Sequence, residues 1–283
     1  MEKECDKLLE RTALGQRKGS EKMVVINKGA CVGCGACVED CFSGNLALEE
    51  GKAQVKSVCM ECGHCVAVCP MKAVSIEGYE MEDAVELGQL GKTASPKELL
   101  NLIRSRRSIR QFKPQPLEQE VIAQVLEAGR YTPTAVNRQD VRYIVVQQEL
   151  EEMKKLVWEG FRKVAASAEG TPMAAKLQRV CQRYDENPEM DPLFFQAPAL
   201  VVVTAHSKLS GSLAAGAVEM MAHAQGLGVL VSGFIEGAIN TNPKAKEFLG
   251  IYGKEICCCM LMGYPAVAFQ RTAPRKKVAV SWR

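Results

Sequence analysis

The sequence predicts an α+β protein that combines a small cysteine-rich module with a larger domain of helices and buried strands. Two observations support this fold class. Eight of the thirteen cysteines fall in two short runs between residues 31 and 69, and helix-start signals and apolar runs follow from residue 95. A length of 283 residues is enough for two domains. We predict an N-terminal extension at 1–22, the cysteine module at 23–78, a linker at 79–94 and the second domain at 95–283.

The two cysteine runs share one spacing, in which three cysteines lie two residues apart and a fourth follows after three more residues. They read Cys31-x2-Cys34-x2-Cys37-x3-Cys41 and, 28 residues further on, Cys59-x2-Cys62-x2-Cys65-x3-Cys69. An iron–sulfur cube needs four thiolates that converge from different directions, and a tight loop supplies three of them. The spacing therefore indicates two iron–sulfur clusters.

Zinc binding and disulfide bonds are the alternatives for these cysteines. Zinc sites usually pair two short Cys-x2-Cys elements without a trailing cysteine, and eight matched thiols are too many for one tetrahedral ion. Disulfide frameworks need a secreted context, but the charged stretch Met1–Met23 lacks the apolar core of a signal peptide. Iron–sulfur clusters in a reducing cytosol fit the cysteine usage better. Because such clusters are sensitive to oxygen, we expect an anaerobic host.

The cysteine module closely resembles the bacterial two-cluster ferredoxins, in which the fourth cysteine of each run ligates the cluster of the other run. This resemblance implies one [4Fe–4S] cluster with the ligands Cys31, Cys34, Cys37 and Cys69. It implies a second [4Fe–4S] cluster with the ligands Cys59, Cys62, Cys65 and Cys41. One departure is that Phe42 follows Cys41, where proline follows Cys69. It removes no ligand.

Short strands are expected around the cysteine runs. We predict a β-like run at Met23–Ile26, a hairpin of Asn45–Leu48 and Ala53–Val58 around Glu50-Gly51, and a closing run at Ala73–Ile76. A module this small has little apolar core and depends on its clusters for stability.

The second domain opens with clear helix chemistry. Ser95 is predicted to be the N-cap, Pro96 the first helical residue and Glu98 the capping-box partner. A second helix is predicted at Leu117–Ala128, ending at Gly129. The apolar runs Ala199–Thr204 and Ile256–Met262 predict buried strands, so the three consecutive cysteines at 257–259 are interpreted as core rather than as a metal site.

Four arginines lie within seven residues, between Arg104 and Arg110. Taken alone, they are compatible with a solvated face, a nucleic-acid patch or an anion site. A phosphate near a helix C-terminus meets the unfavourable end of the helix dipole, so it needs forked cationic side chains such as those of arginine.

Residues 95–283 resemble the nitroreductase family of FMN-dependent enzymes in four ordered segments. These are Arg106-Arg107-Ser108-Ile109-Arg110-Gln111-Phe112; Pro133 to Gln139 with Asn137 between them; Gly226-Leu227-Gly228 with Phe234-Ile235-Glu236-Gly237; and Gly263-Tyr264-Pro265 with Pro274-Arg275-Lys276-Lys277. The family often has Pro-Trp after the glutamine, whereas this chain has Asp140-Val141. The substrate pocket is therefore expected to differ.

The resemblance implies FMN-binding roles for ten residues. The FMN phosphate, which carries roughly −1.5 to −2 charges, would be held by Arg106, Arg107, Ser108, Arg275 and Lys277. Arg110 would lie near the N1–C2=O edge of the flavin. Asn137 would hydrogen-bond the pyrimidine edge or the ribityl chain, and Gln139 would also bind the cofactor. Backbone N–H groups around Glu236 and Gly237 would reach the flavin N5 atom.

The resemblance also implies a fold and an assembly. The fold would be a ferredoxin module plus a nitroreductase-like α+β domain, with a central antiparallel sheet flanked by helices. A homodimer would hold FMN at its interface, and Val278–Trp282 would cross to the partner as a strand. Residues 150–195 would cover the pocket, although most of their aromatic side chains are interpreted as ordinary core.

Together the two halves predict an oxidoreductase. We expect the clusters to take electrons from an external ferredoxin or flavodoxin and pass them singly to FMN, for reduction of a nitroaromatic, a quinone or an activated alkene. In one alternative, NAD(P)H reduces FMN and the clusters carry electrons out to ferredoxin. In another, the chain is a redox sensor or an electron-storage module without a dedicated substrate.

Charge and hydropathy limit the kinds of partner and the cellular location that we expect for this chain. Residues 1–90 carry a net charge of −5 and residues 91–283 a net charge of +8, an asymmetry that is compatible with two halves that dock on each other. A nucleic-acid partner is disfavoured because FMN would occupy the same arginines. No apolar run reaches the roughly 18 residues of a membrane span, so we expect a cytoplasmic protein.

Overall fold

The computed structural model describes residues 24–57 and 59–283, which form two compact units. One unit contains the described residues through Thr93 together with Val136–Arg138. The other contains Ala94–Ala135 and Gln139–Arg283. The extension predicted at 1–22 lies outside the described residues.

The first unit contains two small antiparallel sheets and two short helices around the cysteine runs. Its elements are β1 Val24–Ile26, α1 Ala36–Glu39, β2 Leu46–Glu49, β3 Lys52–Val55, α2 His64–Val68 and β4 Val74–Ile76. Strand β1 pairs with β4, and β2 pairs with β3 across the Glu50-Gly51 turn. A small apolar core joins these strands and includes Cys37 and Cys65.

The second unit is a four-stranded sheet with helices on both faces. Its elements are α3 Pro96–Ser105, α4 Gln119–Arg130, β5 Arg142–Val146, α5 Leu150–Ser167, α6 Ala174–Glu186, β6 Ala199–Ala205, α7 Lys208–Ala224, β7 Gly228–Val231, α8 Gly233–Thr241, α9 Pro243–Phe248 and β8 Glu255–Gly263. The strand order is β5-β6-β8-β7, and every pairing is antiparallel. The predicted α+β fold class and antiparallel sheet are confirmed.

The central strands β6 and β8 are almost entirely buried, as their apolar sequences predicted. Successive side chains of a strand point to opposite faces of the sheet. Val201 and Val203 accordingly pack with residues of α4 and α7, whereas Leu200 and Val202 pack with residues of α5 and α8. The three consecutive cysteines of β8 are buried within this core.

Helix α3 begins as predicted. The Ser95 Oγ atom accepts a 3.3 Å hydrogen bond from the Glu98 N–H, and the Glu98 carboxylate accepts a 2.8 Å bond from the Ser95 N–H. The apolar side chains of this helix are not covered, since Leu99 and Ile103 remain about half exposed.

Helix α4 continues to Arg130, so the prediction that it ends at Gly129 was wrong. The glycine serves packing rather than termination. A Cβ atom at this position would overlap the hydroxyl of Tyr143. That hydroxyl is buried and has no hydrogen-bond partner among the described residues.

Helices α5 and α8 are in close contact because Gly160 lies directly against the carbonyl group of Ala238. Asn242 secures the end of α8. Its Nδ2 donates to the Leu156 carbonyl of α5 at 2.8 Å, and its Oδ1 accepts from the Lys244 N–H at the start of α9. The two helices therefore form one packed layer over the sheet.

Candidate functional site

One small cavity in the first unit is lined by four cysteines, Cys31, Cys34, Cys37 and Cys69. Three come from the first run and the fourth from the second run. Gly33 and Gly35 turn the loop with positive φ angles of 70° and 81°, a conformation that favours glycine. The structure thus brings together the four residues that the ferredoxin resemblance assigns to one cluster.

The second cysteine run forms a similar group. Burial raises the pKa of the Cys65 thiol to about 11, with further contributions from the nearby Cys59 and Cys62 sulfurs. Asn45, which is buried, connects the remaining cysteine to this group. Its N–H donates to Cys41 Sγ at 3.3 Å, and its side chain reaches Cys59.

Backbone amides point at several of these sulfurs. The Glu61 N–H donates to Cys59 Sγ at 3.1 Å, and the Ala73 N–H donates to Cys69 Sγ at 3.3 Å. Such hydrogen bonds favour the thiolate form and tune cluster potentials. The donor set of this unit therefore fits cysteine-ligated clusters.

A single ion is a poorer fit to the same cysteines. In the described ranges, no three His, Cys, Asp or Glu side chains are arranged to hold one metal ion. The sulfurs of a four-iron cube stand on separate irons, so they lie further apart than the ligands of one tetrahedral ion.

The second unit contains a cavity of about 910 Å³. Its walls come from four segments: Arg110–Phe112, the α6 residues Val180 and Arg183, the connection 190–196, and Leu230–Phe234 at the end of β7 and the start of α8. No carboxylate lines it among the described residues. Two arginines and the positive end of α8 make the cavity electropositive.

Main-chain hydrogen bonds hold the Arg110 wall in place. The Ile109 N–H donates to the Val229 carbonyl at 3.0 Å, and the Lys113 N–H donates to the Tyr264 carbonyl at 2.8 Å. Gly228 permits the first contact, because a Cβ there would overlap the Ile109 side chain. The segment that contains Arg107, Ser108 and Arg110 is thus fixed between β7 and the end of β8.

Arg106 is predicted to hold the phosphate together with Arg107 and Ser108, but in the structure its side chain forms an ion pair. Its guanidinium pairs with Glu219 of α7 at 2.8 Å, and both side chains are about one-fifth exposed. The Oγ atom of Ser105, at the end of α3, lies 2.8 Å from the Nε2 atom of His223, which is on α7 like Glu219. Burial, together with the positive charge of Arg106, lowers the pKa of His223 below its ordinary value.

Glu236 and Gly237, whose N–H groups are predicted to reach the flavin N5 atom, lie inside α8 rather than at its first residue. The Glu236 carboxylate pairs with Lys208 at 2.8 Å, and its N–H donates to the Ser232 carbonyl at 3.2 Å. The first N–H groups of a helix have no intrahelical acceptor. Those of Gly233 and Phe234, which line the cavity, are therefore better placed for a ligand than those of Glu236 and Gly237.

The Asn137 loop has an unusual backbone. Val136, Asn137 and Gln139 all have φ angles near +50°, and a β-branched residue is strained in that region. Within the first unit, Asn137 Nδ2 donates to the carbonyls of Met60 and Glu61 at 3.2 and 2.9 Å. The Gln139 N–H donates to Thr134 Oγ1 at 2.9 Å.

The basic tail remains outside the cavity. Arg275 and Lys277 lie in an exposed segment, and the strand predicted at Val278–Trp282 has no regular secondary structure in the described chain. Trp282 is 92 % exposed and Val278 is 85 % exposed. A segment of this kind has no partner strand within its own unit.

Two features of the second unit were not predicted from the sequence. Arg183 lines the cavity, although it lies in a helix in which no specificity was predicted. Asp140 is buried and accepts hydrogen bonds from the backbone N–H and the Nδ1 of His206. Asp140 stands where the family often has Pro-Trp, and this departure was its only signal. A third feature, the start of α8, did have a local signal, because serine at 232 is a favoured N-cap residue.

Comparisons with known proteins agree with this architecture. Residues 103–264 match the model of the nitroreductase family, and residues 23–70 match that of a 4Fe-4S dicluster domain. No curated protein matches the chain. None of the described helices has the length and apolar character needed to cross a membrane.

Several solved structures are similar to the second unit. A nitroreductase with bound FMN from Desulfitobacterium hafniense DCB-2 is 25 % identical, with a TM-score of 0.52, over 64 % of this chain and 97 % of that one. A nitroreductase with bound FMN from Bacteroides fragilis NCTC 9343 is 19 % identical, with a TM-score of 0.52, over 65 % and 98 %. A BluB-like flavoprotein from Clostridium difficile 630 is 17 % identical, with a TM-score of 0.51, over 64 % and 95 %.

Proposed function

The chain belongs to the nitroreductase family, and from this premise we propose that it is an FMN-dependent oxidoreductase that receives electrons through two [4Fe–4S] clusters. The final acceptor is an electron-poor small molecule such as a nitroaromatic, a quinone or an activated alkene. The observation that carries this proposal is the electropositive cavity of the second unit, in a chain that also gathers Cys31, Cys34, Cys37 and Cys69 around one small cavity.

The cavity has the electrostatics that a flavin requires. The guanidinium of Arg110 would stabilise negative charge at the N1–C2=O edge of a bound flavin, and the N–H groups at the start of α8 would donate towards N5. Arg107 and Ser108, on the same fixed segment, would hold the phosphate. FMN exchanges electrons singly or in pairs, which connects one-electron carriers with two-electron reduction.

Protons for the reduction come from solvent. Reduction of a nitro group to a nitroso group consumes two electrons and two protons and releases one water molecule. No Asp, Glu, His or Cys lines the cavity in the described part of the chain. The protein's contribution is therefore orientation, charge stabilisation and partial exclusion of water.

The test is anaerobic rapid mixing of the holoprotein with reduced ferredoxin and, separately, with NADH and NADPH. Flavin bleaching and cluster reduction are followed together. Cluster reduction by ferredoxin, followed by flavin bleaching and turnover of a nitroaromatic, is the expected result. Flavin bleaching by NAD(P)H ahead of the clusters would reverse the proposed direction of electron flow. Turnover of no acceptor would favour a sensor or an electron-storage module.

We also propose that the working form is a cytoplasmic homodimer with FMN at its interface. The exposed tail residues Val278 and Trp282 and the uncovered side chains of α3 support a second copy as their partner. No disulfide joins the described cysteines, which fits a reducing compartment. Light scattering should give twice the chain mass, and a chain ending at Lys277 should dissociate and lose FMN affinity. A monomeric, fully FMN-loaded protein would contradict the dimer.

A further inference from the structure

Arg183 is a second cation in the cavity, on a wall separate from Arg110. It lies on α6 and faces the cavity together with Val180, three residues earlier and hence on the same side of the helix. Among the described residues, its guanidinium has no hydrogen bond or ion pair. It is therefore available to a ligand.

The orientation of α6 is set by contacts of the two residues that follow Arg183. The ring of Tyr184 stacks on Trp158 of α5 with centroids 3.9 Å apart. Asp185 accepts two hydrogen bonds from Arg162 of α5, at 2.5 and 3.2 Å. Because Tyr184 and Asp185 both contact α5, the packing of α6 directs Arg183 to the cavity.

Hydrogen bonds also fix the connection that follows α6. The buried Asp191 carboxylate accepts hydrogen bonds from the Leu193 and Phe194 N–H groups. Gln196 Nε2 donates to the Glu189 carbonyl at 2.9 Å. The apolar surfaces of Leu193 and Phe195 thus stand as a stable wall of the cavity that Arg183 lines.

We infer that Arg183 selects substrates that carry a carboxylate on a planar conjugated framework. This inference rests on the proposed function, in which Arg110 serves the flavin. A volume of about 910 Å³ lies near the top of the roughly 300–1,000 Å³ range of small-molecule sites, which leaves room for a planar acid beside a flavin ring. Arginine binds carboxylates with two parallel hydrogen bonds, and aromatic walls accept the rest of the molecule.

The test compares binding of 4-nitrobenzoate and its neutral isostere 4-nitrobenzamide to the oxidised, FMN-loaded protein by isothermal titration calorimetry. Arg183→Gln should weaken 4-nitrobenzoate about tenfold or more, since it removes a charge-assisted pair, and change 4-nitrobenzamide less than about twofold. Arg183→Lys should give an intermediate affinity for 4-nitrobenzoate. Arg179→Gln removes the same charge from the same helix outside the cavity lining, and should behave as wild type.

Three results would overturn the inference: equal loss for both ligands, the same loss in Arg179→Gln, or loss of FMN affinity in Arg183→Gln. The last would make Arg183 a cofactor residue. Turnover is measured separately with reduced ferredoxin. If the protein binds 4-nitrobenzoate selectively but reduces it with no electron donor, the proposed function is wrong and the inference about Arg183 stands. Reduction without carboxylate preference would do the opposite.

Discussion

The Oδ2 atom of Asp140 accepts two hydrogen bonds from His206, at 2.9 Å from the backbone N–H and at 2.6 Å from Nδ1. A carboxylate only accepts, so Nδ1 carries the proton in this pair. Burial alone would raise the pKa of Asp140, but the hydrogen bonds from His206 outweigh it and bring the pKa below its ordinary value. The pair ties the start of β5 to the end of β6.

Asp140→Asn should therefore destabilise the second unit in a pH-dependent manner. A carboxyl whose folded pKa is lowered contributes stability above its unfolded pKa, about 3.9, and loses it as pH falls through the folded value. The variant should lose about 1–3 kcal/mol at neutral pH, and the difference should shrink below about pH 4. Urea unfolding, monitored by tryptophan fluorescence at several pH values, measures this difference in the free energy of unfolding. Asp185→Asn, at an exposed ion pair, is the control and should cost much less. A difference independent of pH would refute the assignment.

The Arg106–Glu219 ion pair predicts that Arg106 and Arg107 differ in function. Arg106→Gln should destabilise the protein by about 1–2 kcal/mol and leave FMN affinity within about twofold, since a partly buried partner is left unpaired. Arg107→Gln should weaken FMN about tenfold with little loss of stability, because it removes one phosphate contact.

A double-mutant cycle with Glu219→Gln checks the Arg106 assignment. The coupling free energy between Arg106 and Glu219 should be about 0.5–2 kcal/mol. Equal losses of FMN affinity in Arg106→Gln and Arg107→Gln would show instead that both arginines hold the phosphate.

Because Cys69 lines the same cavity as the first three cysteines of the first run, Cys69→Ala should disrupt the cluster held by that run. Iron should fall from about eight to about four atoms per chain, because each cubane holds four. Under anaerobic native conditions, the newly alkylated thiols should be Cys31, Cys34 and Cys37. Mass mapping that finds Cys59, Cys62 and Cys65 instead would mean that each run binds its own cluster. Cys41→Ala is the reciprocal variant.

Close packing of α5 on α8 predicts a strong effect of one methyl group. Gly160→Ala should destabilise the second unit by about 3 kcal/mol, since its Cβ meets the rigid carbonyl of Ala238. Gly216→Ala, at an exposed helical position with open space around it, should be neutral or stabilising by up to about 1 kcal/mol. Thermal unfolding compares the two. Equal stability of both variants would show that the helices can separate without cost.

Local chemistry was predictable from the sequence. The Ser95–Glu98 capping box, the cysteine spacing and the apolar runs of β6 and β8 each depend on residues close in the chain. Gly129 was misinterpreted because its partner, Tyr143, lies on a later strand. The Arg106–Glu219 pair joins residues 113 positions apart, and no local pattern indicates such a contact.

The start of α8 shows what a motif does not specify. The glycine-rich segment predicted a role for Glu236 and Gly237, but it did not indicate that α8 begins at Gly233, where Ser232 caps the first turn. Arg183 could not be identified because its orientation depends on the Tyr184 and Asp185 contacts with α5. Tertiary packing decides which side of a helix faces a cavity, and no local pattern in α6 indicates that packing.

Helix α8 is secured along its length, by Ser232 at its first turn, by the Gly160 contact at Ala238 and by Asn242 directly after its last residue. Under the proposed function, the dipole that ends at Gly233 would therefore keep its direction when the charge of the bound cofactor changes. A polar group that does not have to turn lowers the reorganisation energy of electron transfer. The fixed position of α8 would then affect the rate of electron transfer as well as the stability of the second unit.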